Sequence, residues 1–393
     1  MHALRIWRIY NIANNMKKPQ SIKIIGGGIS GLSTALALKT KEIDYEIYEQ
    51  NSEITYENVG LGISANIFPI LKEWSLLDKT REIGAEIKNF HFVDQNLKYI
   101  KSFVMDKPPL SVNRRLFYDL LKDRLDKEKI HLNSQKTVAE FSQNEIVISA
   151  DGINSTTRKK VYPQLNLRDS NQILWRGITQ INLDHKFKNS YHDFVGNNLR
   201  FAIIHSGQNY YSWYIIKEKD KTENRTLDGE ILKSYFKNYN PIVSEVIEKS
   251  KNIYFSEVFD ISPNKRKNLN WFVSNNLMIG DAIHPTTPNM ANGACLAMED
   301  SYLLASLLAD KKASTETIFT EFQKRRTKKI NPVTNQSWWF GKMLHQKNGV
   351  MDYLLKIGIK TTPKCLFDSI YSNVLIETTK NNIVGNRADG RES

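Results

Sequence analysis

The order of elements predicts an α/β fold of two interleaved domains. One is a parallel-sheet domain assembled from separated segments, the other an antiparallel sheet, and helices fill the C-terminal part. Three observations predict it. A β-branched run, Ser21 to Ile25, enters Gly26-Gly27-Gly28-Ile29-Ser30-Gly31 and then good helix formers up to Lys39. A block from about 170 to 217 is rich in β-branched and aromatic residues, separated by polar turns such as Ser206-Gly207-Gln208-Asn209. Far downstream, Leu277-Met278-Ile279 enters Gly280-Asp281, ahead of helical patterning over most of 293–358.

Each element follows from its periodicity. Strand 21–25, the helix to Lys39 and a second strand, Asp44 to Glu49, make one βαβ unit. Residues 66–78 read as a helix with Ile67, Ile70, Leu71, Trp74 and Leu77 on one side. Phe90 to Phe103 alternates as a strand pair, 113–127 is an amphipathic helix, and Glu145 to Ser149 is a strand running into Asp151-Gly152. Segments 172–181, 198–204 and 210–217 form the antiparallel sheet. Residues 228–250 are helical with a break at Pro241, and 252–260 make one more strand.

Bulk properties narrow the classes. A chain of 393 residues, 40% hydrophobic and 25% charged, suits one large or two medium globular domains. Its net charge of +13 is spread along the chain, with mild clusters near Arg325 and Lys329. That is the pattern of a solvated surface, not the basic stripe with interleaved aromatics of a nucleic-acid binder, so no nucleic-acid partner is expected. No apolar run approaches membrane-spanning length, and no integral membrane association is expected. Cys295 and Cys365 stand far apart, which gives no disulfide framework or metal cluster and suits a reducing cytoplasm. Residues 1–20 lack the apolar core of a secretory signal and read as a disordered extension.

Three motifs carry chemistry. In Gly26-x-Gly28-x-x-Gly31, Gly26 permits a tight turn, Gly28 admits a pyrophosphate against the backbone, and Gly31 lets helix and strand pack closely. Glu49, at the end of the second strand, is placed to take ribose hydroxyls, which favours FAD or NAD over NADP. Asp151-Gly152 ends a strand and starts a helix in the run Ile148-Ser149-Ala150-Asp151-Gly152-Ile153-Asn154-Ser155-x-x-Arg158. Gly280-Asp281 leads through Pro288 to Ala291-Asn292-Gly293 and a helix N-terminus, which stabilises negative charge on a reduced flavin ring.

Together these segments resemble the FAD-dependent aromatic-ring monooxygenases with the para-hydroxybenzoate hydroxylase fold, above all urate-hydroxylase-like and zeaxanthin-epoxidase-like members. The resemblance runs from about 21 to 345 and includes Val59-Gly60-Leu61-Gly62-Ile63, Asn113-Arg114-x-x-Phe117 and Trp175-Arg176-Gly177-Ile178. It implies a Rossmann-like FAD-binding domain in segments 21–65, 106–165 and 266–345. Substrate-domain segments 66–105 and 166–265 interleave with it, and a helical tail spans 346–393. Gly26, Gly28, Gly31 and Glu49 would then hold the ADP half, Arg114 would reach the cofactor and Val138 would lie near the adenine. Asp151 and Gly152 would serve both FAD and the reduced pyridine nucleotide. Gly280 and Asp281 would sit at the ribityl or ribose hydroxyls, while Pro288 and the backbone of Asn292-Gly293 face the flavin. One departure stands out. The family has Gly-Gln-Gly where this chain has Ala291-Asn292-Gly293, so Ala291 carries strain if that position needs a positive φ.

The implied activity is NAD(P)H- and O2-dependent hydroxylation of a small electron-rich aromatic or heteroaromatic, through a flavin 4a-hydroperoxide. The flavin carries the hard chemistry, so no catalytic triad or metal is expected. Arg200 and Tyr211 stand where urate hydroxylases place an Arg and a Tyr against substrate, and Trp213 and Arg176 are further lining candidates. The plainer readings are a surface ion pair for Arg200 and core packing for Trp213 and Phe201. His205 reads as a turn residue, His284 as structural, and Trp338 and Trp339 as helix packing. The expectation is a cytoplasmic monomer or homodimer. The alternatives are an FAD-dependent reductase or desaturase of the geranylgeranyl-reductase type, and a flavin-binding module without turnover.

Overall fold

The structure, a computed structural model, describes residues 21–54, 56–196, 199–219, 227–310, 312–344 and 349–368. The extension expected over 1–20 and the tail beyond 368 lie outside the described residues.

Ile22, Ile24 and Ile25 are buried, as the centre of a parallel sheet covered on both faces requires. The strand order is Phe272–Val273, Asn276–Met278, Val147–Ser149, Ile22–Ile25, Tyr45–Tyr48, Ile130–His131. All neighbours pair parallel except the edge strand Phe272–Val273. Three of these strands, drawn from distant parts of the chain, run directly into the three motifs. Because they are parallel, the motifs emerge at one C-terminal edge, where ligands of open α/β sheets bind. Helix α1 (Ile29–Thr40) covers one face of the sheet and packs on α2 (Gly293–Leu308). Ser301 Oγ of α2 donates to Ser30 O of α1 at 3.2 Å.

The second sheet has the order Tyr254–Asp260, Arg168–Gln180, Tyr210–Glu218, Leu199–His205, Ser190–Gly196, Asn89–Val93, Tyr99–Val104. It is antiparallel as expected, apart from the parallel pairing of Ser190–Gly196 with Asn89–Val93. Strand Ser190–Gly196 has no counterpart among the expected elements, because Asp193 and two polar neighbours disguise its alternation. The expected helix 66–78 instead breaks at Ser75 (φ 56), giving Phe68–Glu73 and Leu77–Ile83.

Alternation divides this sheet into two unlike faces. Phe201, Ile203, Tyr211, Trp213 and Ile215 enter a core with Leu232, Phe236, Val243 and Ile247. Arg176, Tyr214, Ala202 and Asp193 stand directly opposite one another across four strands, so they share the other face. Arg200 and Ser212 lie on that same face. The long helix α3 (Thr315–Leu344) continues through Pro332. Trp338 packs under Arg168, whose Cζ lies 3.4 Å from the ring centroid. Trp339 is 69% exposed, against the expectation of helix packing, because it points to the solvent side of α3.

His192 is fully buried beside His91, Tyr99 and Phe187. Burial pushes its pKa down to about 3, helped by the charges of His91 and Lys186. An unfolded histidine titrates near 6.5, so between the two values the unfolded chain binds a proton that the fold refuses. Stability is therefore complete above that range and falls as pH drops through it. In urea titrations, His192→Gln is expected to flatten this fall by about 1.4 kcal/mol per pH unit near pH 5.

Candidate active site

The glycine turn shows which glycines serve the fold and which leaves room for a ligand. Gly26 has φ +104, and a Cβ there would lie 2.4 Å from Ala150 O. A Cβ on Gly31 would lie 1.9 Å from Gly26 O. Gly28 is different: it has φ −69, and nothing lies within 4 Å of its would-be Cβ. That open space faces the N-terminus of α1, whose free amides and dipole favour an anion. Glu49 closes the turn from the second strand. Its Oε2 accepts from Gly27 N at 2.7 Å and its Oε1 from Asn51 N at 3.0 Å. Tyr56, which sequence reasoning missed, donates its hydroxyl to Gly27 O.

Arg114 opens the helix Arg114–Lys122. Its Nη1 lies 3.4 Å from Glu57 Oε2, and Arg176 Nη2 from the second sheet reaches the same oxygen at 2.8 Å. Glu57 thus bridges an arginine at a helix start and one on the second sheet. Burial lowers the Arg176 pKa, and the Glu57 charge opposes the change. Asp151 Oδ2 accepts from Thr157 N at 3.1 Å, capping the following helix, while Oδ1 has no partner. Gly152 has φ +73 and open space around its would-be Cβ. Arg158, 1% exposed, donates to Asp281 O at 3.2 Å and Ala282 O at 2.7 Å, tying the second motif to the third. Asp281 is exposed to the cleft.

The third motif rests on buried charges. Asp300 Oδ2 accepts from Gly280 N at 3.0 Å and from His284 Nε2 at 2.6 Å, so His284 is structural. Arg326 Nε donates to Asp300 Oδ1 at 2.5 Å and its Nη1 to Glu299 Oε2 at 2.8 Å, and Lys329 also donates to Glu299. The cluster near Arg325 and Lys329, expected to be solvated, therefore includes two buried cations, Arg326 at 5% and Lys329 at 7% exposure. Two adjacent acids within the apolar helix α2 require them, since an unpaired buried carboxylate is strongly unfavourable.

Beyond this network the chain reaches Ala291, with φ 50 and ψ 33. It is left-handed, the conformation in which a Cβ carries strain. Ala291→Gly is expected to stabilise the protein by about 1 kcal/mol in urea unfolding. Asn292, 3% exposed, precedes α2 and leaves Nδ2 without a partner. A Cβ on Gly62 would lie 3.6 Å from Ala291 Cβ, and one on Gly60 would lie 2.3 Å from Ser212 Oγ. Strand Gly60–Ile63 is therefore wedged between the Ala291 loop and the polar face of the second sheet.

The structure thus brings Gly26, Gly28, Gly31, Glu49, Asp151, Gly152, Gly280, Asp281, Asn292 and Gly293 to one sheet edge, with Arg114 beside them. Pro288, itself exposed, begins the turn Pro288–Met290 leading to Ala291, in which Asn289 and Met290 are buried. Val138 begins the turn Val138–Glu140, after the edge strand Ile130–His131. Tyr211 and Trp213 are not brought to the cleft: both lie in the opposite core, where Trp213 Nε1 donates to Ser250 Oγ at 2.6 Å. Tyr214, one residue on, occupies the cleft face. Arg200 is on that face but 2% exposed, its Nε 2.8 Å from Asp193 Oδ1, so it is a buried pair and not a surface one. His205, expected in a turn, instead ends the strand Leu199–His205 and is buried, its Nε2 2.8 Å from Gln208 O of the turn that follows.

The donor set fits a dinucleotide. Open space at Gly28 and Gly152 suits a diphosphate. The unpaired Asp151 Oδ1 and the cleft-facing Asp281 suit sugar hydroxyls, and the unpaired Arg114 Nε and Asn292 Nδ2 suit the oxygens of phosphate or ring. Among the described residues no His, Cys, Asp and Glu group is arranged for a metal.

Comparison with known proteins agrees. A family described as FAD binding domain matches residues 143–337. An aurachin C monooxygenase/isomerase of Stigmatella aurantiaca is 23% identical over 85% of this chain and 92% of its own. A 2-heptyl-3-hydroxy-4(1H)-quinolone synthase of Pseudomonas aeruginosa is 24% identical over 82% of this chain and 89% of its own. In structure, HpxO of Klebsiella pneumoniae complexed with FAD and uric acid superposes with TM-score 0.80 at 20% identity, covering 92% of this chain and 98% of that one. With its three motifs on one sheet edge, the chain carries an FAD-binding domain and is similar along most of its length to FAD-dependent aromatic-ring monooxygenases.

Proposed function

We propose that the chain hydroxylates a small, planar, electron-rich heteroaromatic with NAD(P)H and O2, the ring lying between the Ala291 loop and the polar face of the second sheet. The observation that carries this reading is the strand Gly60–Ile63, which joins the Ala291 loop to the second sheet: Gly62 packs on Ala291, Gly60 on Ser212, and Glu57 nearby spans Arg114 and Arg176. Bound FAD supplies the electron transfer and the oxygen activation. The chain supplies binding, orientation and exclusion of water.

Arg200 is the cation best placed for a substrate oxygen. Burial opposes its charge, but Asp193 and the neighbouring Tyr214 and Tyr191 hold its pKa well above the ordinary value. Its Nη1 has no partner, while Asp193 fixes the fork from the far side. Tyr214 and Phe340 stand 5.4 and 5.5 Å from the guanidinium and give flat walls for a ring. Relatives named for a quinolone and for urate support a fused nitrogen heterocycle bearing oxygen. NADH and NADPH oxidation by the FAD-loaded protein, measured with 4-quinolones, purines and phenols, tests the reading. A member of the first two classes should accelerate oxidation with matching oxygen uptake. Oxidation indifferent to every ligand would remove the proposed role.

A further inference from the structure

A second cavity opens away from the flavin cleft, between segment 266–272 and α3, and shares no residue with the motifs above. It is a groove of about 670 Å³ whose lining includes Arg266, Lys267, Lys324 and Lys328 and no carboxylate. Glu321, on the same helix, is held by Arg325 at 2.6 Å and reaches Lys324 only at 3.9 Å. The three lysines are exposed, but Arg266 is only 2% exposed. Its Nη2 donates to Thr334 Oγ1 at 3.1 Å and Asn331 Oδ1 at 3.2 Å, whereas Nε and Nη1 have no partner.

Idle donors on a buried guanidinium call for an acceptor, since a buried donor left unmet is unfavourable. The nearby acids do not supply it. Asp260 is held by Arg168, and Asp300 by Arg326 and His284. Burial pushes the Arg266 pKa down to about 10, opposed by the charges of Asp260 and Asp300, so the group remains a cation at neutral pH.

We propose that this groove binds a small, multiply charged phosphate compound, with Arg266 as the fixed fork at its floor and Lys267, Lys324 and Lys328 at its rim. A planar guanidinium matches two oxygens of one phosphate. Rim lysines bind weakly when single, so a ligand with several charges uses them best. Phe272 at the wall, half-buried, offers an apolar surface to whatever the phosphate carries.

The test is calorimetry on the full chain saturated with FAD, so that the glycine turn is filled, using pyrophosphate with ionic strength held constant by KCl. Citrate is run in parallel to separate phosphate from carboxylate. Saturable binding of pyrophosphate is expected, weakened at least about tenfold by Lys324→Gln with Lys328→Gln, the loss of charge-assisted contacts. Lys249→Gln, outside the groove, should leave it unchanged. Arg266→Gln should also abolish binding, with urea unfolding run alongside to verify its fold. The lysine pair lies on the surface and decides the matter even if Arg266→Gln fails to fold. No saturable heat beyond KCl, unchanged binding in the double lysine variant, or equal binding of citrate overturns the proposal.

Discussion

Gly28→Val is expected to lower FAD affinity at least about 100-fold, while apo stability changes by no more than about 1 kcal/mol. The two effects separate because of what surrounds each glycine. Gly28 has an ordinary φ of −69 and nothing within 4 Å of its would-be Cβ, so the protein itself tolerates a side chain. The same side chain would fill the space where a diphosphate meets the amides of α1. Losing two charge-assisted hydrogen bonds there removes roughly 3 kcal/mol or more of binding. Gly31 gives the contrast: a Cβ at 1.9 Å from Gly26 O must damage the fold before any ligand arrives. Flavin fluorescence titration reads the first effect and urea unfolding the second. Equal loss of stability in both variants would mean that the open space at Gly28 is not a ligand site.

Arg326→Met should destabilise the protein by about 3–5 kcal/mol, as breaking a buried ion pair from one side does. Glu299 would be left with Lys329 and the Asn66 amide, and Asp300 with His284 and the Gly280 amide. The Asp300 carboxyl shows the dependence. Burial by itself would raise its pKa, but the charges of His284 and Arg326, with hydrogen bonds from His284 and the Gly280 amide, bring it below the ordinary value. A depressed carboxyl contributes stability that is present above the unfolded pKa near 4 and is lost as pH falls through the folded one. Arg326→Met should shrink that contribution, so its stability curve flattens on the acid side. FAD affinity should fall as well, because Asp300 also positions Gly280. Urea unfolding at pH 7 and pH 3 measures the stability and its pH dependence, flavin fluorescence titration the affinity, and a loss of stability under about 1 kcal/mol would show that the network is not an interdependent unit.

How much of this was legible in the sequence varies with the physics behind each feature. The motif edge was, because close approach of backbone to backbone, or backbone to phosphate, demands glycine at fixed spacing. The strain at Ala291 was legible for the same reason: an alanine at a glycine position shows a left-handed φ of 50. The facing of the second sheet was not. Strands Leu199–His205 and Tyr210–Glu218 carry apolar or aromatic residues on both sides, so alternation gives no sign of which side meets the cleft. The docking of helices from 229–248 decides it, and sends Tyr211 and Trp213 to the core and Tyr214 to the cleft. Buried charge was hidden as well. Lys324-Arg325-Arg326-Thr327-Lys328-Lys329 looks uniformly solvated, yet Arg326 and Lys329 turn inward while Lys324 and Lys328 line an open groove. The available cue lay elsewhere, in Glu299-Asp300 set within an apolar helix.

The central claim, oxygen transfer to a ring held between the two sheets, is tested most directly with isotopic oxygen. The FAD-loaded protein is supplied with NADH or NADPH, the ligand that best stimulates oxidation, and 18O2. A hydroxylated product carrying one atom of 18O is expected. Oxidation of the nicotinamide with no label in any product would contradict the claim.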